Sequence, residues 1–345
     1  AYDPATGYYY VVHSYSSALY AIDPTTPHVA RVLQSVYEAT AITSDPTSGT
    51  LYVVSAYTGE VAAVDPGTGQ LVWNSSVGKS PFMVLYDPVD GLLYVSSTGS
   101  GIVSVVDPQT GEYVAGVPVG LQPTWMALDP SSGAVYVLSP GNSSVSIIQG
   151  TKVADTIRLN FTPTSLAFGN GTLFVGSSQP KPGVYVYNVK DGKFVSFFPL
   201  QYAPSYLSYD DGLLYALEVN GKTGTLIVLN VATGQAVTTV YVGPSPTSLT
   251  VVVNKTFVTN GPQGTVTVIN FAPPVVKQAT STASGTTSTP TSTTQPKTSP
   301  AQTGVSTVPP PPVASIPLKD IILAVLVVVA VVVAVVLVRV KLAGR

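Results

Sequence analysis

Along residues 1–272 the apolar positions fall in short blocks separated by polar turns, as in Leu51-Tyr52-Val53-Val54 and Ile102-Val103-Ser104-Val105-Val106. β-branched and aromatic residues dominate the blocks, and such side chains fit a pleated, half-buried surface. No stretch before residue 317 repeats its apolar positions at the helical period, so the pattern predicts strands throughout. The punctuation is Asp-Pro-x-x-Gly, as in Asp3-Pro4-Ala5-Thr6-Gly7 and Asp45-Pro46-Thr47-Ser48-Gly49. Proline presets φ for the first central residue, aspartate caps the turn, and glycine takes the left-handed position.

The blocks recur at a fixed period. An aromatic marks each copy at Tyr10, Tyr52, Tyr94, Tyr136, Phe174, Tyr215 and Phe257, with spacings of 42, 42, 42, 38, 41 and 42. In the first four copies the turns at Asp3, Asp45, Asp87 and Asp129 precede that aromatic by seven residues. A second turn follows 20 residues after the first at Asp23, Asp65, Asp107 and, after Asp210, at Asn230. Prolines 81, 123, 163, 204 and 246 mark the unit boundaries. Each unit then holds four short antiparallel strands. A four-stranded unit of about 42 residues cannot bury both of its faces alone, and seven copies predict an all-β, seven-bladed β-propeller. The first unit starts in its innermost strand, and residues 275–279 are expected to supply the fourth strand of the last.

At these residues the chain resembles the YVTN-type β-propeller repeats of surface-layer-like archaeal and bacterial proteins. Phe257-Val258-Thr259-Asn260 nearly spells the motif, and Leu93-Tyr94-Val95-Ser96 and Leu51-Tyr52-Val53-Val54 are variants of it. The resemblance covers residues 1 to about 279 and implies a propeller in a cell envelope. Gln149-Gly150 and Gly169-Asn170-Gly171 depart from the repeat's turns.

The rest of the chain has a different composition. Ser, Thr and Pro make up 27 of the 44 residues from 273 to 316, too few apolar side chains to offset the entropy of ordering. Residues 321–338 are 18 apolar residues without a charge, spanning about 27 Å as a helix, close to a bilayer's hydrocarbon core. Arg339, Lys341 and Arg345 follow, which by the positive-inside rule puts the tail in the cytoplasm. The expected organisation is a propeller ectodomain at 1–279, a Ser/Thr/Pro-rich stalk at 280–316, a transmembrane helix at 317–338 and a cytoplasmic tail at 339–345. That makes the chain a type I single-pass protein of the plasma membrane. A leader upstream of Ala1 is expected with it.

Charge and composition narrow the chemistry. Only 9% of residues are charged, there is no cysteine, and there are two histidines, His13 and His28. Residues 1–272 carry 9 Lys plus Arg against 16 Asp plus Glu, a net of −7, which argues against nucleic acid as a partner. Asp3, Asp23, Asp45, Asp65, Asp87 and Asp107 are turn residues, and Asp210-Asp211 occupies the same turn, so capping explains them. Thiolate chemistry is excluded and a histidine metal site has little material, so no metal and no cofactor are expected.

Both Asp turns should lie on one face of the ring. The opposite face then carries the loops after each Tyr-Val strand and the inter-blade loops. Its candidate ligand- or partner-binding residues are Tyr15, Tyr57, Phe82, Trp125, Tyr206, Asn220 and Asn260, a neutral aromatic and amide set suited to glycans, peptides or other surface proteins. Trp125 and Tyr206 could equally pack between blades. The sequons at Asn74, Asn142, Asn160, Asn170 and Asn254 are candidate glycosylation sites. The only acids on this face outside the turns are Glu60 and Glu218, in distant blades.

The leading expectation is a non-catalytic recognition, scaffolding or adhesion module of the envelope, with envelope or surface-layer proteins or surface glycans as partners. An extracellular receptor for a sugar or peptide is the first alternative. A propeller enzyme such as a quinoprotein-like oxidase or a lactonase is the second.

Overall fold

Short strands joined by tight turns pair with their chain neighbours. The computed structural model shows this outcome seven times, as seven four-stranded antiparallel sheets each built from consecutive strands. The structure describes residues 1–26, 28–221, 223–252, 255–261 and 264–270, together with the backbone of one further strand, Ser306–Val308. The chain divides into the units Ala1–Pro309 and Pro310–Arg345, and all described residues belong to the first.

The blades span 2–34, 39–76, 81–118, 126–158, 162–199, 204–244 and 246–270, the last completed by Ser306–Val308. The first strands of successive blades touch one another, which places them around the central axis. The fourth strand of the last blade was expected at 275–279, and that stretch lies outside the described residues. The strand that pairs there is Ser306–Val308, in register Val266 to Val308, and it falls within the 280–316 range. Asn254, the remainder of 280–316, the span 317–338 and the tail 339–345 also lie outside the described residues. Among the described residues no helix is long and apolar enough to cross a membrane.

Burial follows from the ring. Second strands such as Leu51–Ser55 and Ala134–Ser139 are buried along their whole length, since a blade covers both of its neighbours. Fourth strands lie at the rim, where Leu71–Ser76 is mostly exposed. The core is therefore a set of seams with one hydrophobic cluster between each pair of adjacent blades. Tyr52, Val54, Val84 and Leu93 belong to the seam of blades 2 and 3; Tyr94, Val117, Met126 and Val137 to that of blades 3 and 4. Tyr9, Ile22, Phe257, Val266 and Val268 join blade 7 to blade 1. Each such side chain contributes roughly 1.5–3 kcal/mol by leaving water.

The turns behave as read. Gly49 and Gly133 sit at φ +76° and +69°, and their N–H groups close back onto Asp45 O at 2.8 Å and Asp129 O at 2.9 Å. The aspartate side chains accept N–H bonds two residues on, from Thr47 at 2.8 Å and Gln109 at 2.8 Å. Connections between strands 1 and 2 and between strands 3 and 4 share one face, because strand direction alternates. On that face Arg31 donates to Pro66 O at 2.7 Å and Gly67 O at 2.8 Å, and Trp73 Nε1 donates to Pro108 O at 3.0 Å, each tying one blade to the next.

Candidate functional site

The opposite face collects the turns between strands 2 and 3 and the inter-blade connections. Its rim is set by repeated backbone geometry. Glu38, Ser80, Gln122 and Ser245 each stand just before a first strand or its boundary proline, at φ +53°, +50°, +56° and +49°. These are non-glycine residues in the left-handed region, and the same position holds that geometry in four units.

Three of the sequence's aromatic candidates meet here. Phe82 comes from the first strand of blade 3, Trp125 from the entry to blade 4, and Tyr206 from the first strand of blade 6. The Phe82 and Trp125 ring centroids are 4.9 Å apart at 87°, and those of Trp125 and Tyr206 are 4.7 Å apart at 72°. Trp125 thus reaches past blade 5, to whose Thr164 O its Nε1 donates at 3.0 Å, and touches blade 6. The three rings close over the axis in edge-to-face contacts. Tyr206 is half-buried, and desolvation pushes its phenol up to about 12. Tyr9 of blade 1 is buried in the seam with blade 7; burial raises its phenol, which bonds Thr250 and feels Tyr206.

Phe82 also lines an open cleft of about 380 Å³ between blades 3 and 4, with Thr98, Gly99, Gln122, Thr124 and Pro140. Its walls are braced by backbone. Thr98 N donates to Ser80 O at 3.0 Å, Gly99 N to Lys79 O at 3.0 Å, and Ser96 Oγ to Thr124 O at 2.7 Å. The lining is neutral, mixing hydroxyl, amide and aromatic groups.

The other candidates lie apart from this centre. Tyr15 and Tyr57 are 78% and 71% exposed at the tips of equivalent turns in blades 1 and 2. Tyr57 meets Tyr37 edge-on at 5.6 Å, and Tyr15 meets His13 at 6.2 Å. Asn220 is exposed and donates to Tyr202 Oη at 2.8 Å. Asn260 is buried, donates to Thr267 Oγ1 at 3.0 Å, and leaves its Oδ1 without a partner. Asn74, Asn142, Asn160 and Asn170 are all exposed. Asn142 Oδ1 accepts from Leu121 N at 3.1 Å, on the site's own face.

One positional signal in the sequence went unread. His13, Ser55, Ser97, Ser139, Ser177, Glu218 and Asn260 follow the repeat spacing and stand within two residues of the end of each blade's second strand. Blades 2 to 5 carry serine there, whereas blades 6, 7 and 1 carry an acid, an amide and an imidazole. Glu218 is buried, and desolvation raises its carboxyl above the ordinary range. It accepts from Tyr202 N at 3.1 Å. Ser55 Oγ donates to the equivalent Tyr37 O at 2.7 Å, so this position grips the inter-blade loop in both blades. Glu38 and Tyr202 are further residues of this face that sequence reasoning missed. They sit in inter-blade loops, without a motif to mark them.

The family model for the outer membrane protein assembly factor BamB, named PQQ_2, matches residues 4–195, more than half of the chain. The chain belongs to this BamB family. No curated protein matches the sequence. Among solved structures, hydrazine synthase of Kuenenia stuttgartiensis is similar with a TM-score of 0.68 at 17% identity, covering 78% of this chain and 94% of that one. The dihydro-heme d1 dehydrogenase NirN has a TM-score of 0.62 at 16% identity, over 78% of this chain and 62% of that one. The computationally designed Ika8 protein has a TM-score of 0.59 at 15% identity, over 76% and 80%.

These findings correct two expectations. The chain was read as a non-catalytic scaffolding or adhesion module and as no enzyme. The similar propellers include two enzymes, and the BamB-family repeat carries a quinone's name, so a non-catalytic module does not follow from this fold. Scarce histidine and absent cysteine limit particular chemistries and leave carboxyl and phenol groups available. At these identities the likeness establishes the propeller, and each activity belongs to the protein that bears it.

The quinone in the family's name is a flat ring system bearing three carboxylates. The aromatic closure matches the flat ring. The charges do not match: in the described loops of this face the cations are Lys79 and Lys181, both exposed and far apart in the chain. Among the described residues no three His, Asp or Glu side chains are grouped to hold a metal ion. The residues do not fit that cofactor.

Proposed function

We propose that this BamB-family propeller is an enzyme for a small, uncharged organic molecule with a ring or other flat group, taken up where the aromatic closure meets the cleft. The convergence of Phe82, Trp125 and Tyr206 from three blades, with Phe82 shared by the cleft, carries this reading. An apolar wall with a few neutral polar groups is the usual composition of a small-molecule site. Ring stacking on Trp125, hydrogen bonds with the Gln122 amide and acceptance by the Thr98 and Thr124 hydroxyl oxygens, whose protons go to Ser80 O and Leu138 O, would orient the substrate. Glu218, whose raised carboxyl stays protonated further towards neutral pH than an exposed one, is the buried acid of this face.

The test uses the two tryptophans. Trp73→Phe leaves Trp125 as the reporter, and a panel of neutral sugars, lactones and quinols is titrated while products are followed by mass spectrometry. Saturable quenching with turnover, the turnover lost in Glu218→Gln, is the expected result. Saturable quenching without turnover of any bound compound would move the chain to the receptor reading. Turnover unchanged in Glu218→Gln would remove Glu218 from the mechanism.

We also read the repeat as the YVTN subtype and the propeller as membrane-anchored and extracellular, supported by the Phe257-Val258-Thr259-Asn260 sequence and the apolar run 321–338. Exposure of Asn74, Asn142, Asn160 and Asn170 supports glycosylation. A mass shift on deglycosylation of the cell-purified chain checks this, and an unshifted mass would overturn it.

A further inference from the structure

Four successive blades repeat one turn, and the third breaks its chemistry. In blade 1, Asp3 Oδ2 accepts from Thr6 Oγ1 at 2.6 Å and Thr6 N at 2.8 Å. In blade 2, Asp45 Oδ2 accepts from Ser48 Oγ at 2.7 Å, and in blade 4, Asp129 Oδ2 accepts from Ser132 Oγ at 2.7 Å. The fourth turn position therefore supplies a hydroxyl to the capping aspartate in each. In blade 3 that position is Asp90, which in its ionised form has no proton to donate. Asp87 is fully buried, and its Oδ2 has no partner.

The surroundings say which carboxyl holds a proton. Asp87 Oδ1 already accepts from Val89 N at 2.8 Å. Asp90 is an acceptor at both oxygens: Leu92 N donates to Oδ1 at 3.0 Å, and the Tyr94 hydroxyl donates to Oδ2. Tyr94 Oη also lies 3.1 Å from Gly150 O of blade 4. The other ionisable groups around Asp87 are Tyr86 and Tyr94, both phenols raised by burial, and the Asp45 carboxylate of blade 2 bears on Tyr86. From blade 4 the turn at Gly133 packs against Asp87, with a Cβ there falling 3.0 Å from Oδ2. That turn's own carboxylate, Asp129, is taken up by Ser131 and Ser132.

We infer that Asp87 and Asp90 share one proton, held on Asp87 Oδ2 and donated to the Asp90 carboxylate, and that this carboxyl pair makes the seam of blades 3 and 4 an acid-stabilised joint. The proton replaces the missing hydroxyl. Desolvation, with the neighbouring carboxylate added to it, acts on Asp87 in the same direction, raising its affinity for a proton. The sign follows from linkage. A folded-state affinity above the unfolded one contributes stability at acid pH, and that stability is lost as pH rises through the folded value. Two ionised carboxylates are then left side by side in a buried turn.

Thermal unfolding of the full chain from about pH 4 to about pH 7 tests this, with Asp90→Ser, which restores the sister turns' chemistry, and Asp87→Asn, whose amide donates without titrating. Each variant's advantage over the parent should grow with pH, reaching about 2–6 °C at the neutral end and vanishing or reversing at the acid end. A difference between parent and Asp90→Ser that is constant across pH would overturn the shared proton. So would an Asp87 carboxyl carbon resonance that titrates in the ordinary aspartate range. If either variant fails to fold, that resonance, followed in the parent chain, decides the matter alone.

Discussion

The seam between blades 3 and 4 and the seam that closes the ring do the same job with different means. At the first, the chain runs directly from one blade into the next. Ten buried apolar side chains pack there, including Tyr94, Val117, Met126 and Val137, and the Tyr94 hydroxyl reaches Gly150. At the second, blades 7 and 1 meet without a covalent crossing nearby. Among the described residues five buried apolar side chains make the contact, led by the stack of Tyr9 on Phe257 with centroids 4.4 Å apart. Lys255 Nζ donates to Pro24 O beside them. Every described blade is made of consecutive strands, so no strand is exchanged across the closure. The difference teaches where such a ring opens. A continuous seam can loosen only with the blades it joins, whereas the closing seam can part while six other seams stay packed.

The largest effect is expected at the closure. Phe257→Ala removes half of the aromatic stack and should cost about 3–5 kcal/mol in denaturant unfolding. Hydrogen exchange should then accelerate first in blades 1 and 7. Acceleration spread evenly over all seven blades would break the comparison. Met126→Ala, in the seam of blades 3 and 4, should cost about 2–5 kcal/mol, with exchange raised across several blades because that joint does not open alone.

Smaller changes sharpen the picture. Gly111 sits at φ +75°, and a Cβ there would fall 2.7 Å from the Trp73 ring of blade 2, whereas Gly7, at φ +74°, faces open space. Both alanine variants incur the left-handed penalty of about 1–2 kcal/mol. Gly111→Ala should lose measurably more, and equal losses would show that the cross-blade packing of Trp73 contributes little. Glu218→Gln keeps an acceptor for Tyr202 N and removes the titration. Since burial raises this carboxyl, its contribution is present at acid pH and lost as pH rises through the folded value, so the variant's relative melting temperature should climb towards neutral pH. A flat difference would mean that Glu218 is not desolvated in solution. Lys255→Met should cost least, under about 1 kcal/mol, because the partly exposed ammonium loses only one hydrogen bond to a carbonyl.

The blade count, the strand order within each blade and the role of the Asp turns were legible, because they depend on period and local turn chemistry. Tyr10, Tyr52 and Tyr94 recur 42 residues apart, and the turns at Asp3, Asp45 and Asp87 keep register with them. The site was half legible. Phe82, Trp125 and Tyr206 were singled out as aromatics after boundary prolines, yet their mutual contact joins residues 43 and 81 positions apart in the chain. Asn260 was read as a surface ligand and is a buried amide, because the end of a second strand lies inside the ring. Glu218 was noticed, but its grip on Tyr202 N depends on how an inter-blade loop folds back.

What the sequence determined by itself is the repeat: a 42-residue unit with two Asp turns can satisfy its own backbone in four strands and leaves two apolar faces that only a neighbour covers. What only the tertiary structure decided is everything between units. Which strand completes blade 7, how Tyr9 and Phe257 close the ring, why three aromatics from separate blades meet at the axis, and why Asp87, unlike the matching turn aspartates, keeps one oxygen without a partner are all settled there. The physical reason is range. Hydrogen-bonded turns are specified by residues a few positions apart, while seams and the axis are set by closing a ring of seven units, a condition that no single unit contains.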